Sequence, residues 1–145
     1  AVPTLITYEA LARDGARLGL GAESVAKIEQ VRAAGLKSLE ILKTAGVRMA
    51  YGTDLLGASH GLQSEEFLIR AQAQSNLEVM QSATLIGAEL LNQVGVIGEI
   101  ASGARADLLL VDGNPLADLA CLTGQGERIP LVMQGGKLRV NELRA

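Results

Sequence analysis

The chain has 145 residues, 48% of them hydrophobic, and a formal net charge of -3; with a mean hydropathy of +0.25 it can bury a domain-sized core and is not read as disordered. The acidic balance excludes a phosphate-binding basic face, and one Phe, two Tyr and no Trp exclude the stacking platforms of single-strand binders, so neither nucleic acid nor a membrane surface is an expected partner. One cysteine, Cys121, excludes an internal disulfide and fits a reducing cytoplasm.

The chain opens Ala1-Val2-Pro3 without a Met, so it is read as processed or as a piece of something longer. Val2 to Thr7 is β-branched and entered through a proline, which predicts a first strand. Apolar residues at intervals of three (Val25, Ile28 and Val31, then Leu36, Leu39 and Leu42) predict helices over 22–34 and 36–45 after a short one over 9–14, with Gly46 as the stop. Val47 to Tyr51 reads as a second strand, and strand, helices, strand is a parallel crossover unit. A loop over 55–63 leads to Ser64-Glu65-Glu66, where the two acids suit the first turn of a helix. Ser75-x-x-Glu78 is a capping box, and Thr84 is placed to cap a further helix running to Leu91. From Val94 onward glycines punctuate short apolar runs, Asp107–Asp112 and Pro130–Met133 among them, which predicts strands and turns. The chain therefore divides into an α/β part over 1–93 and a β-rich part over 94–145.

Gly52-Thr53-Asp54 follows the second predicted strand directly. A carboxylate there sits at the carboxyl end of a parallel sheet, where α/β folds build their sites; the same residue could simply cap a turn. Gly52 would let the backbone approach a ligand. His60, the sole histidine, lies six residues on, in a Gly- and Ser-containing loop. It is a candidate substrate contact, or a solvated loop residue. Zinc needs three or four ligands and these two residues supply two at most, so no metal site closes within the chain. Gly19-x-Gly21 lacks the third glycine of a dinucleotide fingerprint, and Cys121 reads as a small apolar residue.

The most specific pattern is the tail: Ser82-Ala83-Thr84, Gly87-Ala88-Glu89-Leu90-Leu91, Gly95-Val96-Ile97-Gly98-Glu99-Ile100, and Gly103-Ala104-Arg105-Ala106-Asp107 through Asp112-Gly113-Asn114-Pro115-Leu116. It resembles the C-terminal signature of the amidohydrolase superfamily, in its imidazolonepropionase-like and Xaa-Pro dipeptidase-like branch. Leu131 to Lys137 resembles that family's final hairpin, with Gly135-Gly136 as the turn. Pro3-Thr4-Leu5 is similar to its seventh barrel strand, and Ala45 through Asp54 to its eighth.

That resemblance implies an α/β fold: the last two strand-helix units of a metal-dependent hydrolase TIM barrel, plus the C-terminal segment of a small β-sandwich domain. It implies that Asp54 contacts a metal centre of one or two divalent ions, zinc by expectation, and shuttles a proton from the attacking water to the leaving amine. The other metal ligands would lie before Ala1, so this chain alone is expected to hold no ion stably and to be inactive. The implied partners are the missing N-terminal part of the barrel and a small amide, cyclic amide or dipeptide-like substrate. A second reading is a non-catalytic module that reuses the tail of this fold and hides its open edge by self-association into a homo-oligomer.

Overall fold

The computed structural model describes residues 1–17 and 19–143. In chain order they form helices α1 (Leu5–Asp14) and α2 (Ala22–Thr44), a 3-10 run Gly57–Glu65, helices α3 (Glu66–Arg70), α4 (Asn76–Ala83) and α5 (Leu85–Leu90), and strands β1 (Leu108–Leu110), β2 (Leu131–Gln134) and β3 (Lys137–Asn141). Two short 3-10 turns, Leu119–Leu122 and Gly124–Gly126, lie between β1 and β2. The chain is α/β, with one antiparallel sheet in the order β1-β2-β3.

The expected strand over 2–7 is corrected at its second half, because α1 begins at Leu5. Thr4 makes no side-chain cap there. Instead the carboxylate of Glu66, sixty residues away in sequence, accepts from the Ile6 backbone N–H at 2.7 Å. A distant side chain thus satisfies one of the orphan donors of the first turn, and the local β preference yields to it. Residues 1–4 remain extended. The Ala1 nitrogen donates to the Arg48 carbonyl at 2.8 Å, and the Ala50 N–H donates to the Ala1 carbonyl at 2.9 Å. Two bonds flanking Ala1 and Met49 in this way are the pattern of a parallel pair. The segment over 47–51 is accordingly extended beside the chain start, but this short pairing is not a regular strand.

Two expected helices prove to be one. α2 runs unbroken through Gly35, which is buried because α1 crosses there: a Cβ at Gly35 would lie 2.9 Å from Leu5 Cδ2. The glycine is a contact point between helices rather than a break. Gly46, at φ +68, ends α2 as expected, with the Gly46 N–H donating to Lys43 O and the Val47 N–H to Leu42 O, the paired bonds of a Schellman motif.

The capping box at the start of α4 is present in both directions, Ser75 accepting from the Glu78 N–H and Glu78 from the Ser75 N–H. Lys43 on α2 donates to the same carboxylate at 2.8 Å. Its hydrogen bond, then that of the Ser75 N–H, lowers the Glu78 pKa to about 2. A carboxylate depressed in the folded state stabilises above its ordinary pKa near 4.5, and that stabilisation is lost as pH falls through about 2. The pair is more than a third exposed, so the effect is small. The thermal midpoint of Lys43→Met should lie slightly below that of the parent at pH 7, with the gap closing as the pH is lowered from 4.5 towards 2.

Beyond α5, the expected strand over 107–112 is shortened to Leu108–Leu110. Asp107 is drawn out of it, since its Oδ1 accepts from the Gly135 N–H at 2.6 Å while the Ala106 carbonyl accepts from the Gly136 N–H. These bonds tie the entry of β1 to the tip of the β2–β3 hairpin, where Gly135 and Gly136 both take positive φ as a two-residue type I′ turn requires. Gly98 has a different reason to be glycine. Its φ is +82 and an added Cβ would lie 2.6 Å from the Thr84 carbonyl oxygen. Left-handed backbone and overpacking together make Gly98→Ala cost at least ~2 kcal/mol, read as a lowered denaturation midpoint.

Two apolar clusters sit on either side of α3. Ile6, Ala10 and Leu55 form one, with Leu62 and Ile69 against them. Val79, Leu119, Cys121 and Leu122 form the other, with Phe67 and Met80. Cys121 is buried, as its apolar reading requires. α3 thus touches both clusters through neighbouring side chains.

Candidate active site

Asp54 closes the extended segment that pairs with Ala1, and it does so in an unusual backbone state. Its φ is +49, in the left-handed region that Asp and Asn tolerate better than other non-glycine residues. Such a conformation persists where its surroundings over-determine it. Here the hydroxyl of Thr7, in the first turns of α1, donates to the Thr53 carbonyl at 2.8 Å and to the Asp54 carbonyl at 2.6 Å, sharing its one proton between them. The next residue, Leu55, is buried in the cluster with Ile6 and Ala10. The Asp54 side chain itself is exposed.

Gly52 is explained by packing rather than by approach to a ligand. A Cβ there would stand 2.5 Å from Val2 Cγ1 and 3.4 Å from Thr4 Cγ2, so glycine is what lets the chain start lie against this segment.

Glu66 stands in the first turn of α3 as expected, and there it also forms a buried ion pair. Glu66 and Arg70 are both fully buried, and Arg70 Nε donates to Glu66 Oε1 at 2.9 Å. Arg70 Nη2 also donates to the Pro3 carbonyl at 2.6 Å and to the Ala50 carbonyl at 2.8 Å. One guanidinium thereby grips both extended segments just before they turn, while the partner carboxylate holds the start of α1. The guanidinium carbon lies 5.4 Å from the Tyr51 ring centroid, within cation–π range. Burial pushes the Glu66 carboxyl above the usual range, opposed by its hydrogen bonds to Arg70 and the Ile6 N–H. Nothing local marks Glu66 for this role, since an acid in a first turn is ordinary.

His60 lies exposed in the 3-10 run that starts three residues after Asp54. A cavity of about 550 Å³ opens beside this region, lined by Tyr51, Thr53, Gln63, Phe67, Leu122 and Gln125 among others. Neither Asp54 nor His60 lines it. Among the described residues no group of three or more His, Cys, Asp or Glu side chains could hold a metal ion. The donors present on this chain therefore do not fit a metal by themselves.

Comparison with known proteins decides the family. The amidohydrolase family model matches residues 2–138. The chain belongs to the amidohydrolase family. A crystal structure of an amidohydrolase is 57% identical to it, with a TM-score of 0.94 over 99% of this chain and 35% of that one. A prolidase complexed with N-methylphosphonate-L-proline is 50% identical, with a TM-score of 0.91 over 97% of this chain and 34% of that one. Ochratoxinase of Aspergillus niger is 28% identical over 121 residues, 83% of this chain and 25% of its own length. This amidohydrolase chain therefore spans about a third of the solved structures it matches and a quarter of the curated relative. The prolidase neighbour agrees with the Xaa-Pro dipeptidase-like branch indicated by the tail.

Proposed function

We propose that this chain supplies the proton-transfer carboxylate, Asp54, of an amidohydrolase that cleaves a C–N bond in a small amide, cyclic amide or dipeptide-like substrate. The observation carrying this reading is the placement of Asp54 at the turn that closes a parallel-paired segment, in a left-handed conformation fixed by the Thr7 hydroxyl, within a family that hydrolyses such bonds. Residues 1–93 are then the last two strand-helix units of a TIM barrel, and 94–145 the end of a small sandwich domain. The missing N-terminal part of the protein is the partner: its share of the sandwich covers exposed Leu109, Leu110 and Leu138, and its share of the barrel brings the ligands for one or two divalent ions, zinc in this reading.

On this chain the chemistry rests with one group. As water adds to the substrate carbonyl carbon, the Asp54 carboxylate accepts the water's proton; as the C–N bond breaks, it returns that proton to the departing nitrogen, leaving a carboxylic acid and an amine. A tetrahedral phosphonate attached to proline, as in the ligand of the prolidase neighbour, has the shape an amide takes once water has added. That likeness favours substrates with a C-terminal proline or a similar residue. His60 on the following loop is the candidate for a contact with a polar substrate group.

The test uses full-length enzyme and the 145-residue chain side by side, assayed on Xaa-Pro dipeptides and N-acyl amino acids before chelation, after it, and after zinc is restored. Turnover by the full-length enzyme, lost to the chelator and regained with zinc, is the expected result, with none from the chain alone. A full-length protein that hydrolyses no such bond under any of these conditions overturns the reading. A defined, inert oligomer of the chain would then favour the self-associating module.

A further inference from the structure

The conformation of Asp54 depends on a side chain outside its own loop. Its left-handed φ of +49 belongs to a residue followed at once by buried Leu55, so the turn cannot drift without disturbing the cluster of Ile6, Ala10 and Leu55. On the upstream side Gly52 is pressed against Val2. Between these two anchors the only side-chain hydrogen bonds to the backbone of Thr53 and Asp54, among the described residues, come from Thr7. Thr7 is itself fixed from behind, because Ile6, next to it, donates to the buried Glu66 carboxylate, and Glu66 is paired with Arg70. Arg70 in turn holds Pro3 and Ala50, on the two segments that lead into α1 and into Gly52-Thr53-Asp54. Hydrogen bonds on either side of the Ile6–Thr7 peptide thus connect a buried ion pair to the backbone of the exposed aspartate.

We propose that Thr7 is a positioning residue for the reaction: its hydroxyl, seated by the Glu66–Arg70 pair, sets the direction in which Asp54 presents its carboxylate. This rests on the reading of Asp54 as the proton-transfer group. Thr7 touches neither substrate nor water in this role. It acts through the peptide on either side of Asp54, and a displacement of about 1 Å in a reacting group can cost ~100-fold in rate. Because proton transfer is needed only in the transition state, a misdirected carboxylate lowers kcat and leaves KM in place.

The experiment compares Thr7→Val, which keeps the shape and removes the donor, Thr7→Ser, which keeps the donor, and Asp54→Asn, all in the full-length enzyme, with Thr7→Ala as a second donor-free variant. Thr7→Val and Thr7→Ala should lower kcat about 10- to 100-fold at unchanged KM, with an apparent Tm within a few degrees of the parent, while Thr7→Ser retains most of the parent kcat. Parent-like kcat in either donor-free variant overturns the proposal, as does a loss that Thr7→Ser fails to rescue or one carried by KM. If Thr7→Val does not fold, Thr7→Ala and Thr7→Ser give the same comparison. Should Asp54→Asn keep its activity, the failure lies with Asp54 as the proton-transfer group; should Asp54→Asn lose it while Thr7→Val does not, the failure lies with Thr7.

Discussion

Replacing Asp54 with Asn in the full-length enzyme should lower kcat by about 10²- to 10⁴-fold, the span that general acid–base groups contribute, with KM and apparent Tm nearly unchanged. The backbone makes this substitution unusually clean. At φ +49 most residues would add strain, but Asn accepts the left-handed region about as readily as Asp, and the bonds from Thr7 go to carbonyl oxygens that Asn retains. The exposed carboxylate contributes little to packing. Asp54→Ala would be a poorer test, since it mixes loss of the acid with strain at the turn. Steady-state kinetics on a hydrolysed dipeptide measure the effect, and kcat within a factor of two or three of the parent would remove Asp54 from the chemistry.

The parts of this fold that were legible are those whose cause is local. The capping box at Ser75 and Glu78, the stop at Gly46 and the Gly135-Gly136 hairpin each depend on residues within a few positions of one another, and each stands where the residue pattern puts it. The departures share a different cause. Leu5 to Thr7 have strand-like composition, yet they are helical because Glu66 supplies a bond from far along the chain. Gly35 looks like a break and is a crossing point, because Leu5 needs the space. Thr7 as a partner of Asp54 has no local signal either, since their bond joins residues 47 apart. Asp54 stands out in the sequence because it follows a strand-like run and precedes a recognisable tail. What holds its backbone does not stand out, because the bonds from Thr7 are long-range.

Glu66 and Arg70 should show the largest stability effects in the chain. Both side chains are fully buried, so removing either partner leaves an uncompensated charge in the interior, at a cost of about 3 to 5 kcal/mol. Arg70→Met also frees the Pro3 and Ala50 carbonyls. Glu66→Gln keeps an acceptor for the Ile6 N–H and loses the charge that balances Arg70. The double variant buries no charge, so it should cost clearly less than the sum of the two singles, with a coupling within the 0.5 to ~3 kcal/mol seen for residues in contact. The pH dependence of Arg70→Met has a definite sign. Burial already raises the Glu66 pKa, and the Arg70 hydrogen bond is the largest influence lowering it. Without that bond the folded-state pKa rises further above the unfolded one. Stability relative to the parent is then greatest below the unfolded carboxylate pKa and declines as pH rises through the folded value, so Arg70→Met should be more nearly parent-like at pH 5 than at pH 8. Denaturant or thermal unfolding of the four full-length proteins at both pH values measures this. Additive costs in the double variant would mean that the two side chains do not act as a pair, and that the grip on the segments leading to Asp54 comes from elsewhere.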